Sequence, residues 1–386
     1  MDDSVRAVFV MSLVVTLLVA LDPTLVESCP PSEWASLMAF KAALQQPNFE
    51  IFHSWRGTNC CYHWYGISCD PTTRRVAEIT LRGLTVSDDY NHHRLPRRRN
   101  NNSAGYMTGY ISPSICNLTQ LSSITISDWK GISGTIPGCI TTLRSLQTID
   151  LSGNLITGKI PWDIGSLTQL TVLNLADNHI SGWIPKTLVN LSNLMQLDLR
   201  NNAIKGPIPW NMGQLRKLNR ALLGHNRITG SIPRSIASIY SLADIDLSLN
   251  RLSGWIPASL GRMPVLDSLN LKYNNLTGRI PGTLLASRMS RLDLSWNALS
   301  GHIPDVFGTN TYFLNLDLSH NFLSGFVAKS MAFAWYIGYA DLSHNRLCGQ
   351  IPRGPSFDHL PPRAFQHNQC LCGMPLKPCV HRSSHT

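Results

Sequence analysis

Two short segments of the sequence each bring together the residue types of a hydrolytic triad. The segments lie 24 residues apart and contain Asp317, Ser319 and His320, then Asp341, Ser343 and His344. A serine nucleophile needs a base directed at its hydroxyl group and donors that stabilise an oxyanion. Because these triplets recur as part of a repeat on an open surface, the sequence predicts no catalytic residue, no cofactor and no enzyme activity.

Aromatic and imidazole side chains recur at the same interval, each immediately before an asparagine. This column reads Gly153, Asp177, Asn201, His225, Leu249, Tyr273, Trp296, His320, His344. Exposed Tyr, Trp and His on a rigid strand face are the types that anchor protein interfaces or stack on sugar rings. Together with nearby basic residues they give a predicted protein-binding patch, composed of Arg200, Arg220, His225, Lys272, Tyr273, Arg291, Trp296, His320 and His344.

Carboxylates recur four residues before the same asparagines. The column reads Asp150, Asn174, Asp198, Leu222, Asp246, Asn270, Asp293, Asp317, Asp341. Adjacent carboxylates raise one another's pKa unless a counter-charge intervenes, which would mark a functional site. The other interpretation is structural, with each Asp bonding a Ser or Asn of a neighbouring strand. The sequence favours the structural interpretation.

These columns belong to a 24-residue repeat, for which Ile149–Pro161 serves as the template. Asn recurs at 154, 178, 202, 226, 250, 274, 297, 321 and 345, and an Ile-Pro pair follows at matching intervals. A Leu/Asn pattern of this period indicates a leucine-rich repeat. We therefore predict an α/β solenoid, a curved right-handed array of about ten repeats whose short parallel strands form a concave β-sheet.

Cysteines cluster at both ends of the array, as expected in an oxidising compartment. Local pairing would clamp both ends and predicts the disulfides Cys29–Cys60, Cys61–Cys69, Cys348–Cys370 and Cys372–Cys379. Cys116 and Cys139 lie 23 residues apart, so stacking of repeats predicts a fifth bond. The alternative for the region of Cys370, Cys372 and His367 is a zinc site, which a secreted chain disfavours; the sequence predicts no metal.

The N-terminal part divides into three segments. Residues 1–28 contain an apolar run, Val8–Leu21, of signal-peptide length, which predicts secretion to the extracellular space or cell wall; the alternative is a chloroplast transit peptide. Residues 29–84 form a predicted cap, with an amphipathic helix from Ser32 to Leu44 that Ser32 caps. Residues 85–110 form a predicted exposed insertion. The repeats occupy 111–352, and 353–386 form a C-terminal cysteine cap and tail with no membrane anchor.

The formal charge of +10 favours an acidic partner. The insertion concentrates basic residues, which make up a candidate polyanion-binding site: Arg94, Arg97, Arg98 and Arg99. A solvated loop without a partner is the other interpretation. Glycosylation sequons are present at Asn101, Asn117, Asn190 and Asn275.

The Leu-x-Gly-x-Ile-Pro segments are typical of plant-type repeats. The segments SDWKGISGTIPGCIT (127–141), RALLG (220–224), PDVFG (304–308), FDHL (357–360) and NQCLCG (368–373) resemble the plant DNA-damage-repair/toleration proteins, relatives of polygalacturonase-inhibiting proteins. The resemblance spans most of the chain after residue 28, and the basic insertion departs from it.

Three functional hypotheses follow from the pattern and the resemblance. The first is a secreted protein that binds another protein, such as a polygalacturonase-like enzyme, or cell-wall polysaccharide such as pectin, in plant defence or development signalling. The second, implied by the family name, is a DNA-damage factor that binds nucleic acid; a disulfide-rich chain with a predicted signal segment argues against it. The third is a soluble co-receptor for a peptide or a receptor kinase.

Overall fold

The computed structural model describes residues 29–45, 50–83 and 105–379. Each repeat forms one turn of the solenoid, here called a rung, and successive rungs stack with their strands parallel. Leu197, for example, pairs with Leu173 on one side and Ala221 on the other. The register is 24 residues over most of the array and 23 between Ser268 and Arg291. The predicted leucine-rich-repeat fold is confirmed.

The strands predicted to line the concave face form one sheet, which we call the main sheet. Its central residue in each repeat is apolar and buried, and the flanking residues face outward. In order across the sheet the strands are Ile67–Cys69, Val76–Arg82, Ser123–Ser127, Thr148–Asp150, Val172–Asn174, Gln196–Asp198, Arg220–Leu222, Asp244–Asp246, Ser268–Asn270, Arg291–Asp293, Asn315–Asp317 and Ala340–Asp341.

A second parallel sheet, which the sequence did not predict, runs along the Leu-x-Gly segments. Glycine recurs there with positive φ, as at Gly278 (φ 82°), and lets each segment turn toward the Ile-Pro pair. Its strands are Ser181–Gly182, Ala203–Pro207, Arg227–Gly230, Arg251–Gly254, Asn275–Gly278, Ala298–Gly301, Phe322–Gly325, Arg346–Gln350 and Cys370–Cys372. We call this the second sheet.

Short helical turns lead back to the main sheet after most strands of the second sheet, and similar turns occur in the N-terminal cap and the first repeats. Nearly all are 3₁₀ turns: Ile51–Ser54, Pro113–Asn117, Gly138–Thr142, Ile164–Ser166, Lys186–Asn190, Met212–Gln214, Arg234–Ser238, Ala258–Arg262, Lys329–Phe333 and Pro362–Phe365; Gly282–Leu285 is α-helical. Two smaller sheets join Leu44–Gln45, Met107–Tyr110 and Lys130–Ser133, and Tyr312–Phe313 with Tyr336–Ile337.

The recurrent asparagines are buried between rungs and bond the backbone of two repeats. Asn178 donates from its amide to the carbonyls of Leu151, Leu175 and Ala176, and its Oδ1 accepts from the Ile156 N–H group. Trp129 replaces Asn in the first rung and donates from Nε1 to the carbonyl of Leu81. The column therefore satisfies carbonyls that would otherwise be buried without partners.

The N-terminal cap is a helix, Pro31–Ala42, that packs against the first rung. Glu33 is fully buried; its carboxylate accepts from Arg75 Nε at 2.5 Å and from the Val76 N–H at 2.9 Å. The helix starts one residue before the expected Ser32, and Pro30 rather than Ser32 occupies the cap position. Pro31 fits the first helical turn because the N–H group that proline lacks would have no acceptor within the helix at this position.

All five expected disulfides are present: Cys29–Cys60, Cys61–Cys69, Cys116–Cys139, Cys348–Cys370 and Cys372–Cys379. The Cα atoms of Cys116 and Cys139 lie 5.9 Å apart, close to the spacing of neighbouring rungs. Cys370 and Cys372 are therefore not free thiolates for the alternative zinc site.

Two predicted segments lie wholly or mostly outside the described residues. The predicted signal peptide, 1–28, is one, and most of the predicted basic insertion, including Arg94, Arg97, Arg98 and Arg99, is the other. The described end of the insertion differs from the expectation, because Met107–Tyr110 is a strand and the Met107 side chain is buried.

Candidate functional site

Five aromatic and imidazole rings stack face to face along the C-terminal half of the main sheet. Ring centroids are 4.7 Å apart between Tyr273 and Trp296, and 3.7 Å apart between Trp296 and His320. The stack continues through His344 at 4.0 Å and His367 at 4.1 Å. We call these five residues the ring ladder. Neighbouring ring planes differ by no more than 19°, so the ladder presents ring edges to solvent.

The backbone fixes the point from which each ring of the ladder projects. All five residues have positive φ, between 52° and 57°, which non-glycine residues adopt uncommonly. Hydrogen bonds to the next rung hold this conformation, as where the Tyr273 N–H donates to the Ser295 carbonyl at 3.0 Å. The asparagine that follows each ring is anchored in the core, so the rings are spaced by the solenoid itself.

Basic side chains border the start of the ladder. Lys272 Nζ lies 5.5 Å from the centroid of the Tyr273 ring, within cation–π distance. Arg291 is exposed one rung further along. Five predicted site residues, Lys272, Tyr273, Trp296, His320 and His344, thus lie close together, and Arg291 begins the strand that precedes Trp296.

The other predicted site residues lie on earlier rungs and are engaged with neighbours. Arg200 forms a salt bridge with Asp198 of its own rung at 2.7 Å, and this hydrogen bond raises the pKa of Arg200. Arg220 pairs with Asp244 at 3.3 Å. His225 Nδ1 lies 2.6 Å from Asn201 Oδ1.

Leu249 occupies the column position between His225 and Tyr273. The nine predicted residues therefore form two groups rather than one patch, and the ring ladder belongs to the second group.

The aspartate column is structural in most of its contacts. Asp317 Oδ1 accepts from both the N–H and the hydroxyl group of Ser319, at 3.0 and 2.6 Å, and Asp246 bonds Ser248 in the same way. The partner Ser lies in the same rung and not, as was predicted, in a neighbouring strand. The Ser319 hydroxyl thus donates to the carboxylate and not to His320, which is the wrong order for a nucleophilic triad.

The aspartate column shifts the pKa values of two groups at the C-terminal end of the main sheet. Burial raises the pKa of Asp317, and the neighbouring carboxylates of Asp293 and Asp341 raise it further, against the hydrogen bonds of Ser319. Burial, followed by the charge of Asp341, raises the pKa of Tyr339 to about 12.

His367 is the ladder residue that sequence reasoning missed. Its signal was present, because Asn368 follows Asn345 at nearly one repeat and has a histidine immediately before it. Asn368 bonds the core like the other column asparagines, donating to the Leu342 carbonyl and accepting from the Leu347 N–H. The Ile-Pro pair does not recur after Asn368, so the segment was assigned to the cap.

The second sheet carries a different outward surface, also missed, which we call the tryptophan face. Trp162, Trp183, Trp210 and Trp255 are exposed, each by at least 63%. Exposed cations surround them: Lys159, Lys186, Lys205, Arg227, Arg234, Arg251 and Arg279. The sequence pattern that could have revealed this face is the recurrence of Trp at two positions of the repeat. One position lies between Gly and the Ile-Pro pair, and the other directly follows that pair.

A groove of about 720 Å³ lies beside Trp255 on this face, lined among others by Ser231, Arg234 and Ser259. The Trp255 indole lies across Gly278 of the next rung, where an added Cβ would come within 2.8 Å of it. The glycine therefore leaves room for the indole to lie against the backbone.

The remaining site predictions concern sequons. Asn117, Asn190 and Asn275 are exposed, and Asn275 lies on the second sheet. Asn101 lies outside the described residues. Glycosylation of these asparagines stays a prediction.

None of the helices in 29–45, 50–83 or 105–379 is long and apolar enough to cross a membrane.

Family models match three parts of the chain. A leucine-rich-repeat N-terminal domain matches residues 30–70, and leucine-rich-repeat models match 119–180, 168–228 and 288–310. These ranges coincide with the cap and with rungs of the main sheet.

Curated relatives include the DNA damage-repair/toleration protein DRT100 of Arabidopsis thaliana, 51% identical over 134 residues, which are 34% of each chain. Polygalacturonase inhibitor 1 of Oryza sativa subsp. japonica is 31% identical over 146 residues, 38% of this chain and 37% of the relative. The matches thus span little more than a third of these relatives.

Two solved structures share the fold over most of this chain. A plant ice-binding protein is 28% identical with a TM-score of 0.67, over 92% of this chain and 100% of its own. The ectodomain of the Arabidopsis thaliana receptor kinase GASSHO1/SCHENGEN3 is 30% identical with a TM-score of 0.67, over 86% of this chain and 41% of its own. The chain therefore has a leucine-rich-repeat fold that begins with an N-terminal repeat cap, and about a third of it is similar in sequence to plant proteins of this fold, DRT100 and polygalacturonase inhibitor 1 among them.

Proposed function

We propose that this chain is a secreted, non-enzymatic protein that binds another protein or peptide through the outward face of the main sheet. The ring ladder is the observation that carries the proposal. Tyr273 and Trp296 are each about 40% exposed on a backbone that cannot rearrange without breaking bonds between rungs. Rigid, exposed aromatic rings lose little conformational entropy on binding, which suits them to anchor an interface.

The similar proteins supply the classes of partner. The GASSHO1/SCHENGEN3 ectodomain was solved in complex with CASPARIAN STRIP INTEGRITY FACTOR 2, and that of HAESA, 26% identical with a TM-score of 0.67, with the peptide hormone IDA and the co-receptor SERK1. The rice relative is named a polygalacturonase inhibitor. We propose a polygalacturonase-like enzyme, a peptide or a receptor kinase as partner, in the extracellular compartment that five disulfides favour.

Recovery of partners from plant cell-wall extracts tests the assigned site. A Tyr273→Ala/Trp296→Ala variant should recover at least tenfold less partner than the wild type, because loss of two interface anchors costs more than about 1.4 kcal/mol. The matched control is Tyr240→Ala/Trp335→Ala, which removes two rings that are 71% and 76% exposed outside the ladder. Equal recovery by all three proteins would sink the assignment.

A second candidate function is the binding of an acidic cell-wall polysaccharide such as pectin through the tryptophan face. Each rung between Leu155 and Gly282 has four outward positions on this face, equivalent to Leu155, Thr157, Lys159 and Trp162. These positions hold the four tryptophans and the seven cations, and no Asp or Glu. Indole rings stack on sugar rings, and the cations pair with uronate carboxylates. The same features would also suit single-stranded nucleic acid, the partner that the family name suggests.

Competition between oligogalacturonate and single-stranded DNA separates the two ligands. We expect the affinity for oligogalacturonate to depend strongly on the salt concentration. Single-stranded DNA at the same total negative charge should not displace the bound oligogalacturonate. Binding should weaken about tenfold or more in a Trp183→Ala/Trp255→Ala variant, as expected for about 1–3 kcal/mol per lost stacking contact. DNA displacing the oligosaccharide at low concentration would favour the nucleic-acid alternative.

A further inference from the structure

The last three rings of the ladder are all imidazoles, here called the imidazole column: His320, His344 and His367. They occupy successive rungs with centroids 4.0 and 4.1 Å apart. Neutral imidazoles stack at this distance without charge repulsion. Two imidazolium charges about 4 Å apart repel by roughly 1 kcal/mol in water and by more beside a protein surface. Charges on neighbouring rings of the column would therefore oppose each other unless an anion lies beside them.

The solenoid holds the backbones of these residues at the spacing of neighbouring rungs. The His320 N–H donates to the Ser343 carbonyl, and the His344 N–H donates to the Gln366 carbonyl, both at 3.1 Å. The Asn321 N–H donates in turn to the carbonyl of His344 at 3.2 Å. Moving the backbone of one of these residues away from the next rung would break these bonds.

The charged groups of the protein near the column offset only part of the repulsion between charged imidazoles. Burial lowers the pKa of His320, and His344, His367 and Lys272 lower it further, whereas Asp341 raises it. Both oxygens of Asp341 already accept hydrogen bonds, Oδ1 from the Ser343 N–H at 2.9 Å and Oδ2 from the Tyr339 hydroxyl at 3.2 Å.

Other ionisable groups nearby are engaged as well. Asp317 Oδ1 accepts from Ser319, and the Arg346 guanidinium lies over the Phe322 ring with its carbon 4.8 Å from the centroid. Arg363 lies close enough to Tyr339 to lower the pKa of that hydroxyl. His344 and His367 remain exposed to solvent.

We propose that the imidazole column is the docking site for an acidic segment of the partner, a run of Asp or Glu carboxylates, whose binding is coupled to proton uptake by the column. The proposal rests on the proposed protein-binding function and adds the chemistry of the partner. In the complex each imidazolium donates a charge-assisted hydrogen bond to a carboxylate.

The pH dependence of binding follows from this exchange. A carboxylate beside an imidazole favours the charged form, so the histidine pKa values are higher in the complex than in the free chain. Affinity is therefore greatest below the free pKa values and is lost as the pH rises through those of the complex.

A fluorescent hexaglutamate peptide serves as the probe, with the full chain at pH 5.5, 6.5 and 7.5 and constant ionic strength. The glutamates stay ionised over this range because their usual pKa is about 4.3. Affinity of the wild type should fall about tenfold between pH 5.5 and 7.5. A His320→Gln/His344→Gln/His367→Gln variant should lose most of that fall. A His179→Gln/His302→Gln control, altered at exposed histidines outside the column, should retain it.

Imidazole proton resonances give a second readout that does not require a folded triple variant. Adding the peptide to the wild-type chain should raise the pKa values of the three column histidines. Unchanged pKa values, or the same pH dependence in wild type, triple variant and control, would overturn the proposal. The proposed function would survive that result if partner recovery still required Tyr273 and Trp296, so the two failures are distinguishable.

Discussion

At the residue scale, each rung assigns neighbouring residues to separate tasks. Asn250 is structural: its amide donates to the carbonyls of Leu223, Leu247 and Ser248, and its Oδ1 accepts from the Ile228 N–H. The residue just before each such asparagine projects outward. The sequence alone predicts both roles, because the asparagine is constant from repeat to repeat whereas the residue before it varies. It could not reveal that five of the variable rings stack, since stacking depends on the side-chain rotamers.

Replacing a column asparagine should therefore be costly. Asn250→Ala leaves three carbonyls and one N–H group without their partner in the interior, so we expect a loss of about 2–4 kcal/mol in the free energy of unfolding. Urea unfolding measures it. Asn315→Ala, at a half-buried outward position of the main sheet, should change it by less than about 0.5 kcal/mol. Similar losses in both variants would contradict the structural role.

The raised pKa of Asp317 predicts a pH-dependent effect on stability. A carboxyl group whose pKa is higher in the folded chain than in the unfolded chain disfavours folding once it is ionised. Asp317→Asn keeps the Oδ1 acceptor and removes the charge, so it should raise the thermal unfolding temperature at pH 7. The gain should vanish below the unfolded pKa of about 3.9.

Asp246→Asn is the matched control for that experiment. Its column neighbours are Leu222 and Asn270, which carry no charge, and its hydrogen bonds to Ser248 match those of Asp317 to Ser319. An equal gain in both variants, or a gain for Asp317→Asn that persists at pH 3, would contradict the explanation by neighbouring carboxylates.

At the element scale, the periodicity of the sequence predicts the strands that recur in every repeat. It does not predict the elements that lie where the repeat is interrupted. The main sheet and the 23-residue step follow from the spacing of Asn and Ile-Pro. The second sheet was missed because its strands are short and hold no run of alternating apolar residues. Met107–Tyr110 and Trp129 were missed because they lie where the period is broken and Asn is replaced.

The cap depends on one buried carboxylate that joins the helix to the first long strand. Glu33→Ala removes the partner of both Arg75 and the buried Val76 N–H group, so we expect a loss of about 1–3 kcal/mol in the free energy of unfolding. Glu78→Ala, on the exposed side of the same strand, is the control and should have little effect. Urea unfolding with a fluorescence readout of Trp55 and Trp64, which are buried in the cap, measures both. Equal stability of the two variants would contradict this role of Glu33.

At the scale of the whole molecule, one solenoid presents two unlike surfaces. The main sheet displays the ring ladder, and the second sheet displays tryptophans among cations. The rungs hold both surfaces at fixed spacing, and we propose that each surface binds its ligand without a conformational change of the scaffold. The sequence predicted the scaffold but not the ligands, because the repeat pattern is built from the residues that do not contact them.

Both functional proposals require the chain to leave the cell. A C-terminal fluorescent fusion in plasmolysed plant cells should remain in the wall space after the protoplast retracts. A fusion that lacks residues 1–28 is the control and should stay inside. Retention of the full-length fusion inside the protoplast would remove the support for an extracellular partner.

Site-specific photo-crosslinking tests the central claim most directly, because it reports which surface the partner touches. A photoreactive phenylalanine analogue would replace Trp296 in the ring ladder or Trp335, which is exposed elsewhere, before incubation with a cell-wall protein extract. We predict a discrete crosslinked species from position 296 and none from position 335. The same crosslinked species from both positions, or a species from position 335 alone, would contradict the assignment of the main sheet as the binding surface.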